Sequence, residues 1–222
     1  MSDERYDFSD NPNENFLIQG MNSCWKNVIH LATLQSFSKG QVVDQADDGM
    51  YLMKEGCISY SVYLRGGERR ILYFVGQDSL FNEAGSMIKL KGRVSFEFLA
   101  DTKVYAFPPG LFMDVDFVRT YPELCINLSQ YIIFKRLYLS HFVSNLFNGK
   151  PVTRVAEILS QLYESDSGIT LSHLDIANFL GLHLMTISRA LAELRDEGVI
   201  GKITKKKSEI FDPQRLAEYA QW

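Results

Sequence analysis

"LSHLDIANFLGLHLMTISRALAELRDEGVI", residues 171–200, decides the reading of this chain. Its first half predicts a helix from about Ser172, a candidate N-cap, to Leu180. Ile176 and Leu180 turn inward, and the small Ala177 between them lets a second helix cross closely. Gly181 permits a left-handed turn. A second helix from His183 or Leu184 to about Glu197 then buries Ile187, Ala190, Leu191 and Leu194. Ala177, Gly181 and Ile187 have the spacing of a helix-turn-helix. The free face of the second helix carries His183, Leu184, Met185, Ser188 and Arg189, where a surface helix normally carries Glu and Lys. That face suits entry into a groove, with these side chains meeting base edges or flanking phosphates. Thr186 and Ser172 are either phosphate donors or a surface hydroxyl and a cap.

The next stretch, "GVIGKITKKKSEIFD" (198–212), predicts two short strands joined by a lysine-rich tip. From Gly198 to Ser208 there are four lysines, among them Lys202, Lys205 and Lys206, and no acid. A helix-turn-helix followed by such a hairpin is a winged helix, with the wing lying along a phosphate backbone. The whole chain of 222 residues carries a net charge of −4, but residues 171–222 hold seven basic and seven acidic residues, so the excess acid lies elsewhere. A local basic patch on an acidic protein is enough for phosphate contacts.

Upstream the texture is β. From Phe37 to about Phe107, short apolar runs alternate with glycine and acidic turns. "YLMKEGCISYSVYL" (51–64) alternates and contains Gly56, "RGGERRILYFV" (65–75) has Gly66-Gly67 at a hairpin tip, and "GRVSFEFLADTKVYAFP" (92–108) supplies two strands. This close spacing predicts a sandwich or jelly-roll barrel. From Asp116 to Phe147 the period becomes helical, with Leu124, Leu128, Tyr131, Tyr138 and Phe142 in one stripe interrupted by Lys135. Such a helix packs on its own barrel or pairs with a copy of itself. "NGKP" (148–151) ends it. The expected divisions are 1–115, 116–148 and 149–222.

Several classes are excluded. The amino terminus has no signal-like apolar run, and the richest apolar stretch, residues 124–147, is broken by polar and charged residues, so no membrane span is expected. The three cysteines, Cys24, Cys57 and Cys125, are far apart and form no C-x-x-C, which fits a reducing cytoplasm. Nucleotide-loop, nucleophile-elbow and metalloprotease motifs are missing, and His30, His141, His173 and His183 lack metal-ligand spacing. An enzyme is not expected, and no cofactor is required. A ligand-binding signalling module would have no use for the wing lysines.

The order of a β-roll, a long helix and a carboxy-terminal winged helix resembles the CRP/FNR family of bacterial regulators. "IANFLGLHLMTISRALAEL" (176–194) carries the likeness most strongly, and "FSKGQVV" (37–43), "YLMKEGCISYSVYL" and "ILYFVGQDSLFNE" (71–83) look like its β-roll. The resemblance implies an α+β fold, a homodimer through the long helix with the Leu128, Tyr131, Tyr138 and Phe142 stripe as its expected seam, a double-stranded operator, a small-molecule effector of unknown identity and RNA polymerase as a further partner. It leaves activation and repression undivided. The family's cyclic-nucleotide cassette is degenerate: Asn82-Glu83-Ala84 and Arg93-Val94 keep the Glu-to-Arg spacing but lose the flanking glycine and hydroxyl. The run from His183 to Arg189 looks more like the halorespiration regulators, which respond to halogenated aromatic acids. Lys135, costly in an apolar stripe unless it meets an anion or reaches water, together with Tyr131 and Tyr138, points to a small organic, aromatic anion as effector. A cyclic nucleotide held by Glu83 and Arg93 is the alternative. A redox response through cysteine is a third possibility.

Overall fold

The computed structural model describes residues 16–44, 49–88, 94–146, 149–165 and 168–221. The first part contains β1 (Leu17–Ile18), a 3-10 helix (Ser23–Leu31), β2 (Thr33–Phe37), β3 (Val42–Asp44), β4 (Met50–Glu55), β5 (Ile58–Tyr63), β6 (Arg69–Val75), β7 (Leu80–Phe81), helix α1 (Glu83–Ile88), β8 (Val94–Phe98) and β9 (Thr102–Phe107). They form two facing sheets, β1-β6-β5-β8-β3 and β2-β9-β4-β7. The pairing is antiparallel apart from β1 with β6.

The glycine-pair signal holds. Gly66-Gly67 closes the β5–β6 hairpin, with the Leu64 N–H donating to the Glu68 carbonyl at 2.9 Å. Gly56, between β4 and β5, has φ +98, and a Cβ there would stand 2.4 Å from Thr102 Oγ1. Only glycine satisfies both constraints. Met50, Tyr51, Leu52 and Met53 are buried in succession. Side chains alternate along a strand, so both faces of β4 are covered.

The helical part differs in detail from one continuous run starting at Asp116. Helix α2 (Val115–Thr120) is capped by Asp114, whose Oδ1 accepts from the N–H groups of Asp116 and Phe117. Tyr121 then leaves helical geometry at φ −129, ψ 56, and Pro122 opens α3 (Pro122–Leu146). Proline is tolerated in a first turn but not in a helix interior, so the break falls there.

A larger correction concerns the face of α3. Leu124, Leu128, Tyr131 and Tyr138 are buried against the chain's own roll and are not a free seam. Phe142 lies outside the described side chains. Burying such residues stabilises by about 1.5–3 kcal/mol each, and polar contacts set the register. Asn127 Oδ1 accepts from Asn22 Nδ2 at 2.7 Å and Trp25 Nε1 at 3.1 Å, and the Tyr131 hydroxyl donates to the Leu80 carbonyl at 2.7 Å. The exposed positions of α3 include Ile126, Gln130, Ile133, Leu137 and Ser140. Their spacing alternates between four and three residues, which is a heptad seam. Ile126 and Ile133 are 59% and 58% exposed.

The last domain contains α4 (Pro151–Glu164), α5 (His173–Leu180), α6 (Leu184–Asp196), the hairpin β10 (Ile200–Thr204) and β11 (Lys207–Ile210), and α7 (Pro213–Tyr219). Its core includes Val155, Ile158, Ile176, Ile187, Leu191, Leu194 and Leu216, all fully buried. Among the described residues no helix is long and apolar enough to cross a membrane.

Candidate nucleic-acid interface and ligand cleft

Local sequence sets the angle between α5 and α6. Ser172 caps α5: its hydroxyl accepts from the Asp175 N–H at 3.1 Å, and Asp175 Oδ2 accepts from the Ser172 N–H at 2.9 Å. That reciprocal box uses the Ser172 hydroxyl, so the capping alternative for this residue is the one realised. Gly181 ends α5 at φ +64, the left-handed turn expected of it. Arg154 on α4 donates to the Leu180 carbonyl and fastens the end of α5. Ile187, Ala190, Leu191 and Leu194 of α6 are buried, as the apolar spacing predicts.

The opposite side of α6 is open. His183, Leu184, Met185 and Arg189 are exposed, while Thr186 and Ser188 are half-buried. His183 is the N-cap but makes no side-chain capping bond, and the first turn holds no acid. The first N–H groups of α6 therefore face outward with the positive end of the helix dipole, which favours a phosphate.

Beside α6 stands the wing, with its two-residue turn at Lys205-Lys206. Its lysines are not equivalent. Lys207 pairs with Glu209 at 2.7 Å, and Lys205 pairs with Glu97 of the roll at 2.9 Å. Lys202 and Lys206 are exposed and form no ion pair among the described residues.

The other expected site lies between the roll and α3. Lys135 is buried, with 7% of its side chain exposed. Its Nζ lies 2.6 Å from Oε1 of Glu83 and over the rings of Tyr73 and Tyr131, at 4.6 and 4.9 Å from their centroids. Burial alone would pull the ammonium down, but Glu83 and Tyr131 outweigh it and hold its pKa above the usual value. The other carboxylate oxygen, Oε2 of Glu83, is buried and has no hydrogen-bond partner among the described residues. Arg93 lies outside the described residues.

A cleft of about 670 Å³ opens over this pair, lined by Tyr60, Tyr73, Glu83, Lys135, Arg136 and Leu139, among others. Glu83 and Lys135 thus meet in one site. Tyr131 and Tyr138 are buried beneath it and do not line it. The aromatic wall is instead Tyr60 stacked on Tyr73, with centroids 4.7 Å apart. Those two tyrosines face each other across the β5–β6 hairpin. The alternating strand pattern held that signal, but only the hairpin register brings them together.

A helix-turn-helix with a two-stranded wing is a DNA-binding domain. Residues 153–219 match the Crp-like helix-turn-helix domain. The global nitrogen regulator of Synechococcus elongatus is 27% identical over 202 residues, covering 83% of this chain and 88% of that one. A CRP/FNR-family transcriptional regulator of Thermus thermophilus has a similar structure, with TM-score 0.69 at 20% identity over 85% of this chain and 98% of the other. CprK complexed with OCPA superimposes with TM-score 0.65 at 20% identity, covering 92% of this chain and 97% of that one. The domain match and the regulator neighbours together support placing the chain among the CRP/FNR-family transcription regulators that bind DNA.

Proposed function

We propose that the chain binds a palindromic operator as a homodimer and is gated by a small organic anion. The observation that carries the DNA reading is the open first turn of α6, which holds no acid, beside an exposed lysine wing. His183, Leu184, Met185, Ser188 and Arg189 face base edges, Thr186 faces the backbone, and Lys202, Lys205 and Lys206 serve as phosphate contacts. Leu184 and Met185 offer apolar contact to thymine methyls, which favours A·T-rich half-sites about one helical turn apart. The second copy pairs along Ile126, Ile133 and Leu137, an exposed apolar seam with heptad spacing. RNA polymerase is the further partner of such a regulator. Selection of bound duplexes from a random pool tests the operator: recovery of sequences without two-fold symmetry would overturn it.

The effector enters the cleft over Glu83 and Lys135, and no other cofactor is required. Because Lys135 is already neutralised, Arg136 on the cleft rim is a cation that can meet an anionic group, while Tyr60 and Tyr73 offer a ring-sized wall. The likeness of the run from His183 to Arg189 to the halorespiration regulators supports the aromatic class. The commitment of Glu83 to Lys135 counts against a cyclic nucleotide. Calorimetry with a panel of aromatic carboxylates and cyclic AMP separates the two: binding of an aromatic acid lost in Arg136→Ala supports this order, and tight cyclic AMP binding lost in Arg93→Ala overturns it.

A further inference from the structure

The wing is tied to its own chain. Lys205 Nζ lies 2.9 Å from Oε1 of Glu97, and Oε2 of the same carboxylate accepts from Arg69 Nη1 at 2.6 Å. Glu97 stands on β8 inside the five-stranded sheet; its side chain is 7% exposed, against 56% for that of Lys205. Arg69 is held on further sides, because its Nε and Nη2 donate to the hydroxyls of Ser61 and Ser59 at 2.9 Å each. The carboxylate is a fixed part of the roll, and the lysine is a visitor to it. Burial raises the Glu97 pKa, but the hydrogen bonds from Lys205 and Arg69 prevail and hold it below the usual carboxylate range.

A second contact joins the same two domains. Phe179 of α5 is buried with its ring 4.6 Å from that of Phe16 and 5.4 Å from that of Phe74 on β6. The Phe16 N–H donates to Gln161 Oε1 on α4 at 3.0 Å. Aromatic burial supplies most of the docking energy, since an exposed lysine adds little to stability. The lysine's position nevertheless decides which anion it can serve.

We infer that Glu97 competes with DNA phosphate for Lys205, so that docking of the reading domain on the roll holds the chain in a weaker-binding arrangement. This rests on the wing being a phosphate contact, as proposed above. One ammonium cannot neutralise a carboxylate of the sheet and a phosphate of the duplex at once. Lifting the wing from β8 exchanges the first for the second. The exposed side of α6 stays open in the docked form, so the device grades affinity and does not block the reading head. A ligand in the roll–helix cleft changes the grade only if it prefers one arrangement over the other.

The test is duplex binding by the full chain, without added ligand, across a salt series. Glu97→Gln keeps the shape and an acceptor for Arg69 but removes the charge that holds Lys205. One added phosphate contact steepens the slope of log affinity against log salt by about 0.9, and raises affinity roughly tenfold at low salt. In a Lys205→Ala background the same change must have no effect. Phe16→Ala loosens the docking without touching the wing or its charges and should also tighten binding. Unchanged affinity and slope in Glu97→Gln, with Lys206→Ala still weakening binding, overturns the competition and leaves the DNA reading standing. If Lys206→Ala is silent as well, both fall. Weaker binding by Glu97→Gln also overturns the competition, because docking would then align the wing for DNA.

Discussion

Helices α3 and α6 pose the same problem and solve it differently. Each turns one apolar side to its own chain and leaves another side open. In α6 the two sides are plain: Ile187, Ala190, Leu191 and Leu194 are buried, and His183, Leu184, Met185 and Arg189 are exposed. In α3 apolar residues lie nearly all round, with Leu124, Leu128 and Tyr131 inside and Ile126, Ile133 and Leu137 outside. A helix apolar on two sides has two partners to satisfy. Periodicity reveals that both seams exist but does not assign them. In α6 the glycine turn before the helix fixes its phase against α5. In α3 no such marker precedes the helix, and the partners of its inner face lie at Asn22, Trp25, Leu80 and Glu83, far away in sequence.

The strongest way to break this comparison is through the inner face of α3. Lys135→Ala leaves the Glu83 carboxylate buried and uncompensated, and should destabilise by about 3–5 kcal/mol. Replacing both, as Lys135→Met with Glu83→Leu, should recover much of the loss, because an apolar pair of similar size removes the desolvation cost. Denaturant unfolding measures both variants; equal loss in the single and double variants would show that packing, and not charge, fails. Next in size is the outer face. Ile133→Glu places two charges in each dimer, each costing at least about 1.4 kcal/mol, so association should weaken at least about 100-fold. Sedimentation should show folded monomers. Tyr138→Glu, by contrast, should lower the unfolding midpoint, because Tyr138 packs inside its own protomer. Monomers from Tyr138→Glu with an unchanged midpoint would reverse the assignment of the two faces.

What was legible followed the punctuation. Gly56, Gly66-Gly67, Ser172 and Gly181 each act within a few residues, and the elements they bound are where the sequence places them. The exposed face of α6 was legible for the same reason. The cleft was legible only in part: Glu83 and Lys135 stand out as charges in apolar surroundings, but their pairing spans 52 positions and needs the roll closed against α3. Tyr60 and Tyr73 escaped because the register shifts between Tyr60 and Ser61, so counting back from Gly66-Gly67 does not pair them. The tie from Lys205 to Glu97 has no local signal, since it depends on how two domains dock.

Two smaller effects sharpen the other half of the comparison. Arg189→Ala, on the open face of α6, should cost about 1–3 kcal/mol of specific binding and relax the preference at one base position. Random-sequence binding should change far less. If the ratio of specific to random binding stays the same, Arg189 reads no base.

The smallest change is expected just beyond α6. Lys206 is exposed at the wing tip and, among the described residues, is bound to no acid, whereas its neighbour Lys205 is held by Glu97. Lys206→Ala should therefore weaken every sequence alike and flatten the salt slope by about 0.9, the release of roughly one counterion. Lys205→Ala in the ligand-free chain should flatten it by less, because that ammonium is already neutralised at rest. The two adjacent lysines have the same chemistry, so a difference between their slopes isolates the effect of the roll. Equal slopes would mean that the wing leaves β8 whenever DNA is bound, at no measurable cost to binding.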